Sequence, residues 1–160
     1  MTQKPGPPIT PAGLAALKAR YDHLLGTERP EIVEIVSWAA GNGDRSENGD
    51  YLYGRKRMRE IDRELGYLAR RMKACRVVDP ANQPDRTRVF FGARVELADE
   101  DDAACEVTIV GDDEQDAGEG RIGWSSPLAK ALKGASVGDV RQVRLPAGVR
   151  EWEVMAIHYD

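Results

Sequence analysis

From Tyr51 to Cys75 the chain carries one uninterrupted apolar seam. Tyr51, Gly54, Met58, Ile61, Leu65, Leu68, Met72 and Cys75 recur at intervals that alternate between three and four. A heptad pattern held over about three to four heptads is met by a long α-helix that buries one stripe against a partner. At about 1.5 Å per residue, the predicted helix from Glu47 to Arg76 is roughly 40 Å long. The partner is upstream. Thr10 can cap a helix that takes Pro11 at its first position, where the missing N–H is harmless. Leu14, Leu17, Tyr21 and Leu24 follow at helical spacing, and Ile32, Ile35, Val36 and Ala39 resume an apolar face on which Trp38 and Val36 are expected to be at least partly buried. Gly26 and Pro30 between them predict a kink or short break. Gly41-Asn42-Gly43-Asp44 reads as a turn, with Asp44 or Ser46 available to cap the second helix. A short turn between two long helices makes them antiparallel neighbours. The expected result is a hairpin arm longer than a compact domain of this size needs.

Past Pro80 the text changes. Residues 81–87 are polar and suit a linker. Short β-type runs then appear at Arg88–Phe91, Ala93–Ala98, Cys105–Val110, Val140–Leu145 and Glu151–Ile157. The pairs Val95/Leu97, Val107/Ile109, Val143/Leu145 and Trp152/Val154 show the alternation of half-buried strands. Pro127 to Lys133 reads as a short helix capped by Ser125 or Ser126. The fold class is α+β in two domains, an antiparallel two-helix coiled coil over 1–79 and a β-sheet domain with a short helix over 80–160. Charge divides the same way: residues 1–80 hold 14 Lys/Arg against 11 Asp/Glu, and residues 81–160 hold 9 against 16. A basic half joined to an acidic half points to different partners for each.

Several function classes drop out. No apolar run reaches the ~18 residues that span a bilayer, and the N-terminal MTQKPGPPITPAG lacks the apolar core of a secretory signal. Cys75 and Cys105 have no metal-type spacing and read as inert thiols. His23 and His158 stand apart without a catalytic frame. GDDEQDAGEG lacks the Lys-Ser/Thr of a phosphate loop, and Asp99-Glu100-Asp101-Asp102 reads as a solvated hairpin turn rather than a calcium loop.

What remains is GDRSENGDYLYGRKRMREIDRELGYL. It sets Asp44, Glu47 and Asp50 at the hairpin tip and Arg55, Lys56, Arg57, Arg59 and Arg63 along the descending helix. Acids in a first helical turn complement its dipole, so a structural reading stays open. Against it, these acids crowd the far end of an arm. The basic residues also exceed what Glu60, Asp62 and Glu64 can neutralise by pairing along one helix. A basic face behind an acidic tip suits a probe that follows a nucleic-acid backbone and offers carboxylates to a metal.

These residues resemble the bacterial transcript cleavage factors GreA and GreB, and are closer to GreB. The resemblance rests on ERPEI at 28–32, WAAGNGDRSENGDYLYGRKRMREID at 38–62, VFFGARVEL at 89–97, IVGDDE at 109–114, and SSPLAKAL with VGD within 125–139, in collinear order over nearly the whole chain. It implies a coiled coil that enters the secondary channel of RNA polymerase and an FKBP-like C-terminal domain at the channel rim. It further implies that Asp44 and Glu47 help hold a Mg²⁺ ion shared with the polymerase active site, with no cofactor bound by the free protein. The chain would be an accessory that stimulates cleavage of the 3′ end of backtracked nascent RNA, without a complete active site of its own. Arg55, Lys56, Arg57 and Arg59 would hold that RNA, and Ser126 and Pro127 would meet the polymerase. The resemblance also implies a cytoplasmic protein, monomeric when free, with no membrane partner. Gly49 departs from the family, which commonly has Ala there. Two competing readings are a channel-binding regulator without cleavage and an FKBP-like prolyl isomerase. For the latter the second half offers few aromatics: Phe90, Phe91, Trp124, Trp152 and Tyr159.

Overall fold

The computed structural model describes residues 6–41 and 48–160. They form two packed units, one spanning Leu14–Ala74 and the other joining Cys75–Asp160 to the chain before Leu14.

The first unit is helical. Helices α1 (Pro11–His23) and α2 (Arg29–Ala40) are linked by a π-helical turn, Leu24–Glu28, so the predicted break is a widened turn within one continuous helical run. The reason is Pro30, which has no N–H to give and whose ring would strike the carbonyl four residues back. One extra residue per turn relieves this, and the Arg29 N–H donates to Leu24 O, five residues earlier. Helix α3 (Gly49–Ala74) returns with Gly54, Ile61, Leu65 and Leu68 of the predicted seam buried. Opposite them lie Leu17, Leu24 and Ala39, also buried. Gly54 lets α2 come close to α3. A Cβ there would stand 2.5 Å from Val36 Cγ2. Trp38 and Ile35 depart from expectation, with 65% and 41% of their surface exposed. Ile32, Val36 and Ala39 already fill the stripe that faces α3; Ile35 lies at its edge, with Cγ2 3.9 Å from a Cβ built at Gly54, and Trp38 falls outside it.

Arginines and acids from different helices then bracket the seam. Arg20 pairs with Glu64 at 2.9 Å, Arg29 with Asp62 at 2.9 Å, and Arg57 with Glu28 at 3.3 Å. Because Arg20 donates to it, the Glu64 carboxyl lies below the usual carboxylate range, against the opposing effect of burial.

The second unit is a five-stranded sheet. Its strands are β3 (Arg94–Ala98), β4 (Ala104–Val110), β5 (Arg121–Gly123), β6 (Val140–Leu145) and β7 (Gly148–His158), in the order β5-β4-β3-β7-β6. Within this five-stranded sheet only the β4–β5 pair is parallel. Alternate residues Val95, Leu97, Val107, Ile109 and Val154 turn inward, and α4 (Pro127–Leu132) covers them with Ala129 and Leu132. The acidic run is the β3–β4 turn, where Asp99 Oδ1 accepts from the N–H groups of Asp101 and Ala103, both at 2.9 Å.

Arg88–Phe91 is not a strand. Val89 exchanges backbone hydrogen bonds with Ala135 and Gly134, and the Phe90 N–H goes to the Tyr159 hydroxyl. Gly92, at φ 88°, then turns the chain into β3. Helix α3 also stops short of Arg76, because β2 (Arg76–Val77) pairs in parallel with β1 (Pro8–Ile9). Glu114 accepts from the N–H and hydroxyl of Thr10. The expected boundary between residues 79 and 80 therefore falls inside the sheet unit. The predicted linker is locally ordered too: Asp79 caps a 3₁₀ turn at Pro80–Asn82, and Arg86 donates to Ala81 O.

Candidate functional site

The acidic end of the hairpin is set by how its two helices are tied. Asn48 caps α3: its Oδ1 accepts from the Tyr51 N–H at 3.2 Å, and its Nδ2 donates to Ala39 O at 2.8 Å. One side chain thus closes a helix start and fastens it to the last turn of α2. The cap expected from Asp44 or Ser46 belongs to Asn48, a missed residue whose signal was its place just before Gly49. Asp44, Ser46 and Glu47 themselves lie outside the described residues, in the stretch between Gly41 and Asn48.

Along α3 the four predicted basic residues divide by angle. Arg57 is turned toward the helix pair, with 26% of its side chain exposed, and it bonds both Glu28 and Glu60. Burial opposes its charge, and the hydrogen bonds to Glu60 and Glu28 outweigh that, so the guanidinium is held even more firmly protonated than usual. Arg55 lies over the Tyr51 ring, 5.9 Å from its centroid. Lys56 and Arg59 face outward and are exposed. With Leu52 and Arg63 they form a stripe at i, i+4, i+7 and i+11, opposite the buried seam. Lys56, Arg59 and Arg63 have no ion-pair partner among the described residues. Arginines from α1 and α2 already hold the nearby acids Glu64 and Asp62.

In the sheet unit, Ser126 is the α4 cap. Its hydroxyl accepts from the Ala129 N–H at 3.3 Å, and Pro127 occupies the first turn with its ring exposed. Ser125 is tied to Asp112, donating its hydroxyl at 2.6 Å. Beside them opens a cavity of about 630 Å³ lined by Phe90, Phe91 and Trp124, with Arg76, Lys130 and Lys133 and no carboxylate. Three of the five aromatics noted in the sequence thus meet at one cavity. Cys105 is exposed, and burial with the nearby Asp99 charge pushes its thiol up, away from the reactive thiolate. No group of three or more potential metal ligands occurs among the described residues.

Comparison with known proteins is decisive for kinship. Residues 7–77 match the model of the N-terminal region of transcription elongation factors, and residues 83–159 match the model of the GreA/GreB C-terminal region. The chain belongs to the GreA/GreB family of transcription elongation factors. Transcription elongation factor GreB of Neisseria meningitidis serogroup B is 52% identical over 151 residues, covering 94% of this chain and 93% of that one. Its counterpart in Xanthomonas axonopodis pv. citri is 47% identical over 152 residues, covering 94% and 90%. Among solved structures, the GreA factor homolog 1 protein of Thermus thermophilus aligns at 23% identity and a TM-score of 0.44, covering 96% and 99%. The GreB-named relatives agree with the resemblance carried by the tip motif. In this GreA/GreB chain the N-terminal family region contains β1 and β2, strands that pack with the sheet unit rather than with the hairpin.

Proposed function

We propose that this elongation factor acts on RNA polymerase by inserting its helical hairpin into the secondary channel and stimulating cleavage of backtracked RNA. The observation that carries the reading is the outward stripe of Lys56, Arg59 and Arg63 on the helix that starts just after Asp44 and Glu47. Three cations on successive turns, without an ion-pair partner among the described residues, match a phosphodiester backbone running beside the helix. Arg55 flanks the stripe and can join it. Arg57 contributes chiefly by holding α3 to the rest of the hairpin.

Asp44 and Glu47 are hard oxygen donors of the kind Mg²⁺ takes, but two carboxylates are too few for its roughly six ligands. The ion would therefore be shared with carboxylates of the polymerase, and the free factor needs none. When held there, Mg²⁺ supplies the Lewis acidity that makes water a competent nucleophile toward the RNA phosphodiester. The protein's own part is to deliver and orient the two carboxylates. The factor is thus an activator of the polymerase's own cleavage activity, works in the cytoplasm, and is a monomer when free. Pro127, exposed at the start of α4, would meet the polymerase, while the Ser126 hydroxyl keeps that helix start in place.

Adding the protein to a backtracked elongation complex with Mg²⁺ should release a 3′ RNA fragment and leave a shortened, extendable transcript. Asp44→Asn with Glu47→Gln should abolish that cleavage while polymerase binding persists. An unshortened transcript with the wild-type protein would refute the reading in favour of a channel regulator without cleavage.

A further inference from the structure

Helix α2 carries a second stripe. Glu31, Glu34, Ile35 and Trp38 fall at i, i+3, i+4 and i+7, so they line one face of the helix. All four are exposed, Trp38 by 65% and Ile35 by 41%. Ile35 borders the face that packs on α3 through Ile32, Val36 and Ala39, its Cγ2 3.9 Å from a Cβ built at Gly54, and Glu31, Glu34 and Trp38 lie beyond that border. Neither glutamate has an ion-pair partner among the described residues, nor has Trp38 a ring contact.

An indole with 65% of its surface in water, on a helix whose packing stripe is already filled, adds little to the hairpin's fold, and Ile35 extends the apolar surface beside it with 41% exposed. Tryptophan is enriched at the centre of protein interfaces, where it supplies a large apolar contact with few torsions to freeze. The two carboxylates decide the class of partner. A nucleic acid would bring phosphates against Glu31 and Glu34, while the cationic stripe that suits phosphate lies on α3. A basic protein surface meets both features at once: a guanidinium can lie on the face of the Trp38 indole while its N–H groups reach Glu34 one turn away.

We infer that the Glu31–Glu34–Ile35–Trp38 face of α2 is a docking surface for a basic, partly apolar patch on the wall of the polymerase channel. This inference rests on the proposed function. The hairpin would then separate its duties by face, with α3 toward RNA and α2 toward protein.

The test is affinity of the full-length protein for core RNA polymerase free of nucleic acid. Trp38→Ala should weaken binding at least about tenfold, as expected for an interface aromatic. Glu31→Lys with Glu34→Lys should do the same and should flatten the salt dependence that charge pairing gives the wild type. Ser37→Ala, outside the stripe, should bind like the wild type. Helix content should be unchanged in every variant, since each side chain is exposed. Wild-type affinity in the Trp38 and double-lysine variants would overturn the inference while leaving the proposed function intact. A loss seen only with complexes carrying extruded RNA would overturn it by assigning the face to RNA. Altered self-association with unaltered polymerase binding would overturn it by assigning the face to a second copy of the chain. A wild-type protein that fails to bind polymerase would bring down both this inference and the proposed function.

Discussion

Replacing Gly54 by alanine sets two effects of known size against each other. In a helix interior alanine is favoured over glycine by about 1 kcal/mol. At this site the added Cβ would stand 2.5 Å from Val36 Cγ2, whereas carbon atoms in contact rest at about 3.5–4.0 Å. Roughly 1 Å must be found. Val36 is β-branched and holds one preferred rotamer on a helix, so the strain falls on its χ1 or on the separation of α2 and α3. Overpacking of this kind costs about 1–3 kcal/mol. The balance is a protein destabilised by up to about 2 kcal/mol. With Val36→Ala in the background the obstructing methyl is gone, and Gly54→Ala should then stabilise by about 1 kcal/mol. Gly49 serves as the comparison, because nothing lies within 4 Å of a Cβ built there. Gly49→Ala should stabilise by somewhat under about 1 kcal/mol in either background. Urea titrations followed by circular dichroism on wild type, both single variants and the double variant close the cycle. Equal effects of Gly54→Ala with and without Val36, within about 0.5 kcal/mol, would refute the close-contact account of this glycine.

Other consequences can be checked in parallel. Charge reversal of Lys56 and Arg59 should slow cleavage of long backtracked RNA more than dinucleotide release. Arg57→Ala should instead lower the melting temperature of the hairpin and affect both substrates alike. Tyr159→Phe removes a hydroxyl that accepts from the Phe90 N–H at 2.8 Å and donates to Arg88 O. It should cost about 1–3 kcal/mol in denaturant titrations, since a partly buried N–H is left without a partner. Because the folded Glu64 carboxyl is depressed by Arg20, its contribution is present above the ordinary carboxylate pKa and is lost as pH falls through the lowered folded value. The pair is largely solvent-facing, so the contribution is only about 0.2–1 kcal/mol. Melting curves of wild type and Glu64→Gln should therefore differ near neutrality and converge in strong acid.

The features legible in the sequence are those written into its local period. The seam from Gly54 to Leu68 predicts α3, and the inward alternation of Val95/Leu97 and Val107/Ile109 predicts β3 and β4, because burial selects every third or fourth residue of a helix and every second of a strand. The acidic turn and a helix cap at Ser125 or Ser126 followed from the same local chemistry, the fold choosing Ser126, and the tip motif carried the family. Other features needed partners far along the chain. Arg57 looks like Lys56 and Arg59 in sequence, and its bond to Glu28, 29 residues away, is one that no local period shows. Strand β5 is three residues long and exists because β4 offers an edge to it. Trp38 reads as core by composition, yet helix phase and a filled stripe leave it exposed. The sequence by itself determined which segments could be helix or strand and which residues carry charge. Tertiary structure alone decided which charges are already neutralised, since an ion pair depends on distance between side chains and not on separation along the chain.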